Sequence, residues 1–230
     1  MKLNKDQIQQ LKQMISHKGY PAVDVQYEIL DHVACQIEEL MEENPMLDLP
    51  TAFNKVHASF GVFGFSKLEE SYLNLIEKRF KRYYWQEIKT LFTSQKIVIP
   101  IGIALAMYQT SLWVQDLKTW YLIMIAALLI PLGLMYVKYR KNHSRYKGYA
   151  SYRAQNTFFV YFNIAIQICL QANIFMNHSQ HLFESIGAQV LLGLVVLGMA
   201  FLFLSLFFLP KVLDRNIADT EALIQVYGEG

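Results

Sequence analysis

Two short groups of residues have the types and spacing that could do chemistry. Glu28, Asp31, His32 and Cys35 fall within about two helical turns. Glu28 and His32, four apart, would share a helix face as metal ligands do. Only two or three ligands come within reach of one another and no matching pair stands elsewhere, so the plain reading is preferred: Glu28 and Asp31 solvated, His32 packed at a helix contact, no metal bound. Asn163, Gln167 and Gln171 recur at every fourth residue of an uncharged apolar run. Amides in hydrocarbon are costly unless partnered, so this stripe is expected to face a helix bundle and to bond with Gln109 or Gln189. The alternative is a polar pathway or substrate cleft of a transport component or accessory subunit. A proton or ion path ordinarily needs an ionisable group, and the run has none.

A further segment, Lys138 to Arg153, interleaves bases with Tyr139, Tyr146, Tyr149 and Tyr152. Such interleaving can stack nucleic acid, but beside a membrane the simpler ligand is a lipid headgroup, so no direct nucleic-acid partner is expected. Nothing resembles a phosphate-binding glycine loop, a nucleophile elbow or a zinc-protease helix. The chain is therefore expected to be no enzyme and to carry no cofactor.

The elements that position these residues follow from hydropathy. Four runs, Ile97 to Val114, Trp120 to Val137, Thr157 to Met176 and Ser185 to Leu209, contain no Asp, Glu, Lys, Arg or His. Each approaches the roughly 20 residues needed to cross a bilayer core. Bases crowd three of the flanking segments: Lys78, Arg79, Lys81, Arg82, Lys89 and Lys96 before the first run, Lys138, Arg140, Lys141, Arg145, Lys147 and Arg153 between the second and third, and Lys211 and Arg215 after the fourth. The remaining two loops hold only Lys118 as a base. The positive-inside rule then gives four spans in a cytoplasmic (inner) membrane with both termini cytoplasmic. Met1 to Lys18 has no apolar central run or small-residue cleavage site, which agrees with an N-terminus kept in the cytosol. Lys78, Arg79, Lys81, Arg82, Arg140, Lys141, Arg145 and Lys147 are the expected headgroup-binding residues. Cys35 and Cys169 are expected to be reduced thiols.

Charge divides the chain. Met1 to Glu77 has twelve acids and six bases, a net of −6, whereas the part from Lys78 onward nets +8. The acidic part reads as short helices. Asn4 and Gln7 form a capping box ahead of Ile8, Leu11 and Ile15. A helix over Asp24 to Glu43 carries the stripe Val25, Ile29, Val33, Ile37 and Leu40. A third helix starts near Pro50, with Pro at its first position, and carries Ala52, Phe53, Val56 and Phe60. Gly61 and Gly64 bracket a turn, and Ser66 with Glu69 reads as a second capping box opening a long helix. Glu38, Glu39, Glu42 and Glu43 crowd the end of the second helix, the unfavourable end of its dipole for acids. They are the candidate surface for a basic cytosolic partner.

The stretch Tyr27-Glu28-Ile29-Leu30-Asp31-His32-Val33, followed by Ile37-Glu38-Glu39, Ala52-Phe53 and Gly61-Val62-Phe63-Gly64-Phe65, resembles the small helical cytoplasmic domains that precede multi-span regions in bacterial HAAS-like (DUF1700-like) membrane proteins. The resemblance covers about the first 80 residues, and the Gly61 to Phe65 turn departs from the family's glycine-acid-proline pattern. It implies signal transduction together with a PadR-type transcriptional regulator. The expected whole is all-α: an acidic cytoplasmic helical domain over 1–90, a four-helix transmembrane bundle over 91–212 and a short cytoplasmic tail over 213–230. Its expected role is signalling or regulation through a cytosolic partner, as a monomer or homo-oligomer.

Overall fold

Helix signals in the sequence become helices throughout. The computed structural model describes the backbone of residues 2–114, 116–141, 143–177 and 186–227, and no strand occurs among them. The elements are α1 (Lys5–His17), α2 (Val23–Glu43), α3 (Leu49–Ser59), α4 (Ser66–Thr93), a 3-10 turn at Gln95–Ile97, α5 (Val98–Trp113), α6 (Leu117–Arg140), α7 (His143–Tyr146), α8 (Ala154–Asn177) and α9 (Ile186–Tyr227). Their contacts group into two units. One comprises 1–80, 145–152 and 218–230; the other comprises 81–144 and 153–217.

In the first unit α1 opens on the expected box: the Asn4 side chain accepts the Gln7 N–H at 2.8 Å, and Gln7 Oε1 accepts the Asn4 N–H at 2.9 Å. The core is the predicted stripe of α2 (Val25, Ile29, Val33 and Ile37), met by Leu11 and Ile15 from α1 and by Ala52, Phe53 and Val56 from α3. Burying an aliphatic side chain contributes about 1.5–3 kcal/mol, so these positions carry most of the unit's cohesion. Gly61 and Gly64 take left-handed backbone angles, φ 75° and 50°, where a β-carbon is strained. Their turn swings fully buried Phe65 against the rings of Phe53, His57 and Phe60. Gly64 is also required by space, because a β-carbon there would lie 2.6 Å from His57 Nε2. Ser66 does not cap α4 as expected. It is the helix's first residue, and its hydroxyl instead lies 3.2 Å from that of Tyr20.

In the second unit three helices among the described residues are long and apolar enough to cross a membrane: Gln95–Trp113, Lys118–Arg140 and Gly193–Gln225. This is a membrane protein. The expected span Thr157–Met176 falls in α8, whose side chains from Cys169 onward lie outside the described residues. Asp116 caps α6, accepting the Thr119 N–H at 2.9 Å and the Thr119 hydroxyl at 2.6 Å. Those bonds hold its carboxyl below the usual range. A small core joins Met107 of α5, Trp120, Tyr121 and Met124 of α6, and Val195 and Met199 of α9. Helix α9 does not stop with its apolar run. It continues through Pro210 to Tyr227, burying Val212, Leu213, Asn216, Ile217, Thr220 and Ile224 at helical spacing.

Candidate functional site

The first unit closes on one buried carboxylate. Asp24 sits in the first turn of α2, completely inaccessible to solvent. Its Oδ1 accepts the backbone N–H of Ala150 and its Oδ2 that of Ser151, each at 2.8 Å. Oδ1 also accepts the Val25 N–H at 3.1 Å, and the Tyr72 hydroxyl donates to Oδ2 at 3.3 Å. The Val23 N–H donates to the Gly148 carbonyl at 2.9 Å. A buried charge is tolerable when its lone pairs are filled in this way. The captured segment is the end of the basic, tyrosine-rich loop. Its Tyr146, Ser151 and Tyr152 are buried, so these aromatics are core rather than a stacking platform. Tyr146 donates to Glu221 and Ser151 Oγ lies 3.1 Å from Thr220 Oγ1, which brings the end of α9 into the same unit. Burial, and then the Glu221 carboxylate, push the Tyr146 phenol above its ordinary range; burial, and then Asp24, do the same to Tyr149.

The remaining sequence candidates occupy simpler places. Glu39, Glu42 and Glu43 are exposed at the end of α2, whereas half-buried Glu38 accepts the Leu3 N–H at 2.9 Å and ties down the start of the chain. Lys78, Arg79, Lys81 and Arg82 are exposed on α4, and Arg140, Lys141, Arg145 and Lys147 are exposed as well. Arg79 reaches Asp219 at 3.7 Å and Arg145 reaches Glu221 at 4.0 Å, so part of the expected headgroup collar engages acids of α9. His32 is not packed at a helix contact. Its side chain is 49% exposed and lies 3.3 Å from Glu28, because the stripe Val25, Ile29, Val33 and Ile37 turns it outward. The described residues contain no group of three or more His, Cys, Asp or Glu that could hold a metal.

The amide stripe also differs from expectation. The packed face of α8 is Phe158, Tyr161 and Ala165. At about 3.6 residues per turn, Asn163 and Gln167 fall on the opposite side, and both are exposed. They line an open groove of about 260 Å³ with Ile164 and Ile168 of α8 and Leu194 and Val195 of α9. Among the described residues Asn163 and Gln167 make no bond to Gln109 or Gln189; the Gln171 side chain lies outside the described residues.

No family model, curated protein or solved structure matches this chain.

Three polar features of the structure were not singled out from the sequence. Asp24 reads as an ordinary acid in a helix's first turn, and nothing in its neighbours marks it as buried. Glu87, 8% exposed, pairs with Arg215 at 2.7 Å and Lys211 at 3.9 Å within the second unit. The Tyr139 hydroxyl donates to Asp214 at 2.7 Å. A signal for the last two was present: Lys211, Asp214 and Arg215 recur at helical spacing beyond Pro210, where the expected transmembrane bundle gives way to the tail.

Proposed function

We propose that this chain is a non-enzymatic, four-span regulatory protein of a bacterial inner membrane, with both termini cytoplasmic, whose first unit binds a cytosolic protein. One observation carries the reading: the first unit is not a module hung on one linker. It is assembled from three chain segments and closed by Asp24 on the Ala150 and Ser151 amides. All three of those segments connect directly to helices of the second unit. A rearrangement of the apolar helices can therefore reach the partner-binding surface through the loop and the end of α9, which is what a signalling protein needs and a mere anchor does not. The fourth span is supported by α8 itself. It packs along α6 from the Tyr139–Phe158 ring contact, 5.7 Å between centroids, to the Tyr121 hydroxyl, which donates to the Ile168 carbonyl at 2.8 Å.

The surface offered to the partner is Glu39, Glu42 and Glu43, exposed on a unit whose N-terminal part is acidic. Such a surface selects a basic partner and speeds its capture, less so as salt rises. The resemblance to HAAS-like domains supplies the class, a PadR-type transcriptional regulator. The test uses the detergent-solubilised full chain and purified PadR-type regulators of the same cell. Binding with an association rate that falls at least severalfold in Glu39→Gln/Glu42→Gln/Glu43→Gln at low salt is the expected result. No binding, or an unchanged rate, would remove the partner surface from the reading.

A further inference from the structure

We propose that the groove between α8 and α9 seats a second copy of this chain, the two joined about a two-fold axis through Asn163 and Gln167. The inference rests on the four-span reading above, which places α8 in the bilayer. Neither amide has a hydrogen bond among the described residues. Asn163 lies nine residues from one end of α8 and Gln167 ten from the other. At about 1.5 Å per residue, each is on the order of 14 Å from the nearer helix end. Headgroups do not reach that depth, and acyl chains offer no donor or acceptor. Exposed amides there forgo their hydrogen bonds unless the occupant brings polar groups of its own.

A second copy brings the matching groups. A carboxamide is donor and acceptor at once, so a two-fold axis along the membrane normal can set Asn163 against the partner's Asn163 and Gln167 against the partner's Gln167, an isologous pairing that closes on itself. The surroundings suit a helix rather than a solute. The groove is open, its other described lining residues are Ile164, Ile168, Leu194 and Val195, and no charged group is among them. Val190, Leu194 and Leu197 continue the exposed apolar face of α9. Gly193 lies in that face, with nothing within 4 Å of a β-carbon built on it, so a second backbone can come close.

The test is made on the full chain in liposomes, with Cys35→Ser and Cys169→Ser as background. Energy transfer between differently labelled copies, followed while the membrane is diluted with lipid, should report a dimer. Asn163→Leu/Gln167→Leu should weaken that association by roughly tenfold or more. Ile164→Cys should give a covalent dimer with a short bifunctional maleimide, whereas Leu134→Cys, exposed on α6, should not. Association unaffected by the leucine pair would overturn the proposal. So would a monomer at every dilution with Ile164→Cys shielded from a water-soluble maleimide; the four-span reading would then survive and the groove would pass to a solute. Ready labelling of Ile164→Cys by that reagent would overturn both.

Discussion

Asp24 of the first unit and the Asn163–Gln167 pair of the second are polar groups in opposite states. In the first, Asp24 has a full set of donors, all from its own chain, and the carboxylate closes the structure. In the second, Asn163 and Gln167 stand on an apolar helix with no bond among the described residues. On the four-span reading proposed above, the same rule, that a polar group out of water must be paired, gives a finished interior in one case and an unfinished surface in the other. On that reading the contrast separates a part of the chain that is complete alone from one that calls for a second copy.

The largest expected effect is at Asp24. Asp24→Asn keeps one acceptor oxygen but sets an NH2 group against a backbone N–H, and should cost about 3 kcal/mol. A thermal unfolding series in detergent, read by size-exclusion fluorescence, measures it; a loss below about 1 kcal/mol would mean that the carboxylate does not close the first unit. Next come the glycines of the α3–α4 turn. Gly61→Ala meets only the strain of its positive φ, about 1 kcal/mol, because no atom lies within 4 Å of the added carbon. Gly64→Ala adds the clash with His57 and should be clearly the more destabilising of the two.

His57 itself gives a smaller, pH-dependent effect. Burial, and then the charge of Lys18, hold its imidazole below the ordinary value of 6.5. The folded state then binds fewer protons than the unfolded one, so stability is full above pH 6.5 and falls as pH drops toward the folded value. Nuclear magnetic resonance titration should place the midpoint below 6.5, and His57→Gln should flatten the stability profile there. The smallest effect is expected at Gln167. In dilute micelles Gln167→Leu should leave the unfolding midpoint nearly unchanged, since the side chain has no hydrogen bond among the described residues. A loss like that of Asp24→Asn would erase the contrast between the units.

Much of this was legible in the sequence. The α2 stripe, the Asn4 box, the glycine turn and three apolar helices follow from local periodicity, which a single chain displays directly. Long-range pairings were not legible. Asp24 meets Ala150 and Ser151 across more than 120 residues, and neither end carries a local mark of the other. The Asn163 and Gln167 spacing was visible, but its direction depended on which face Phe158, Tyr161 and Ala165 would pack, and both faces of α8 are apolar enough to serve. The fourth apolar run was expected to end at Leu209, just before Pro210. The helix runs through it, and its next turns bury Val212, Leu213 and Asn216.

The central claim is that the first unit is closed on the loop by Asp24, and hydrogen exchange at the Ala150 and Ser151 amides tests it most directly. Both amides should exchange slowly in the native chain, with protection like that of the α2 core. Both should be released in Asp24→Asn while the amides around Ile29 and Val33 stay protected. Exchange of Ala150 and Ser151 at the rate of an open loop in the native protein would contradict the account.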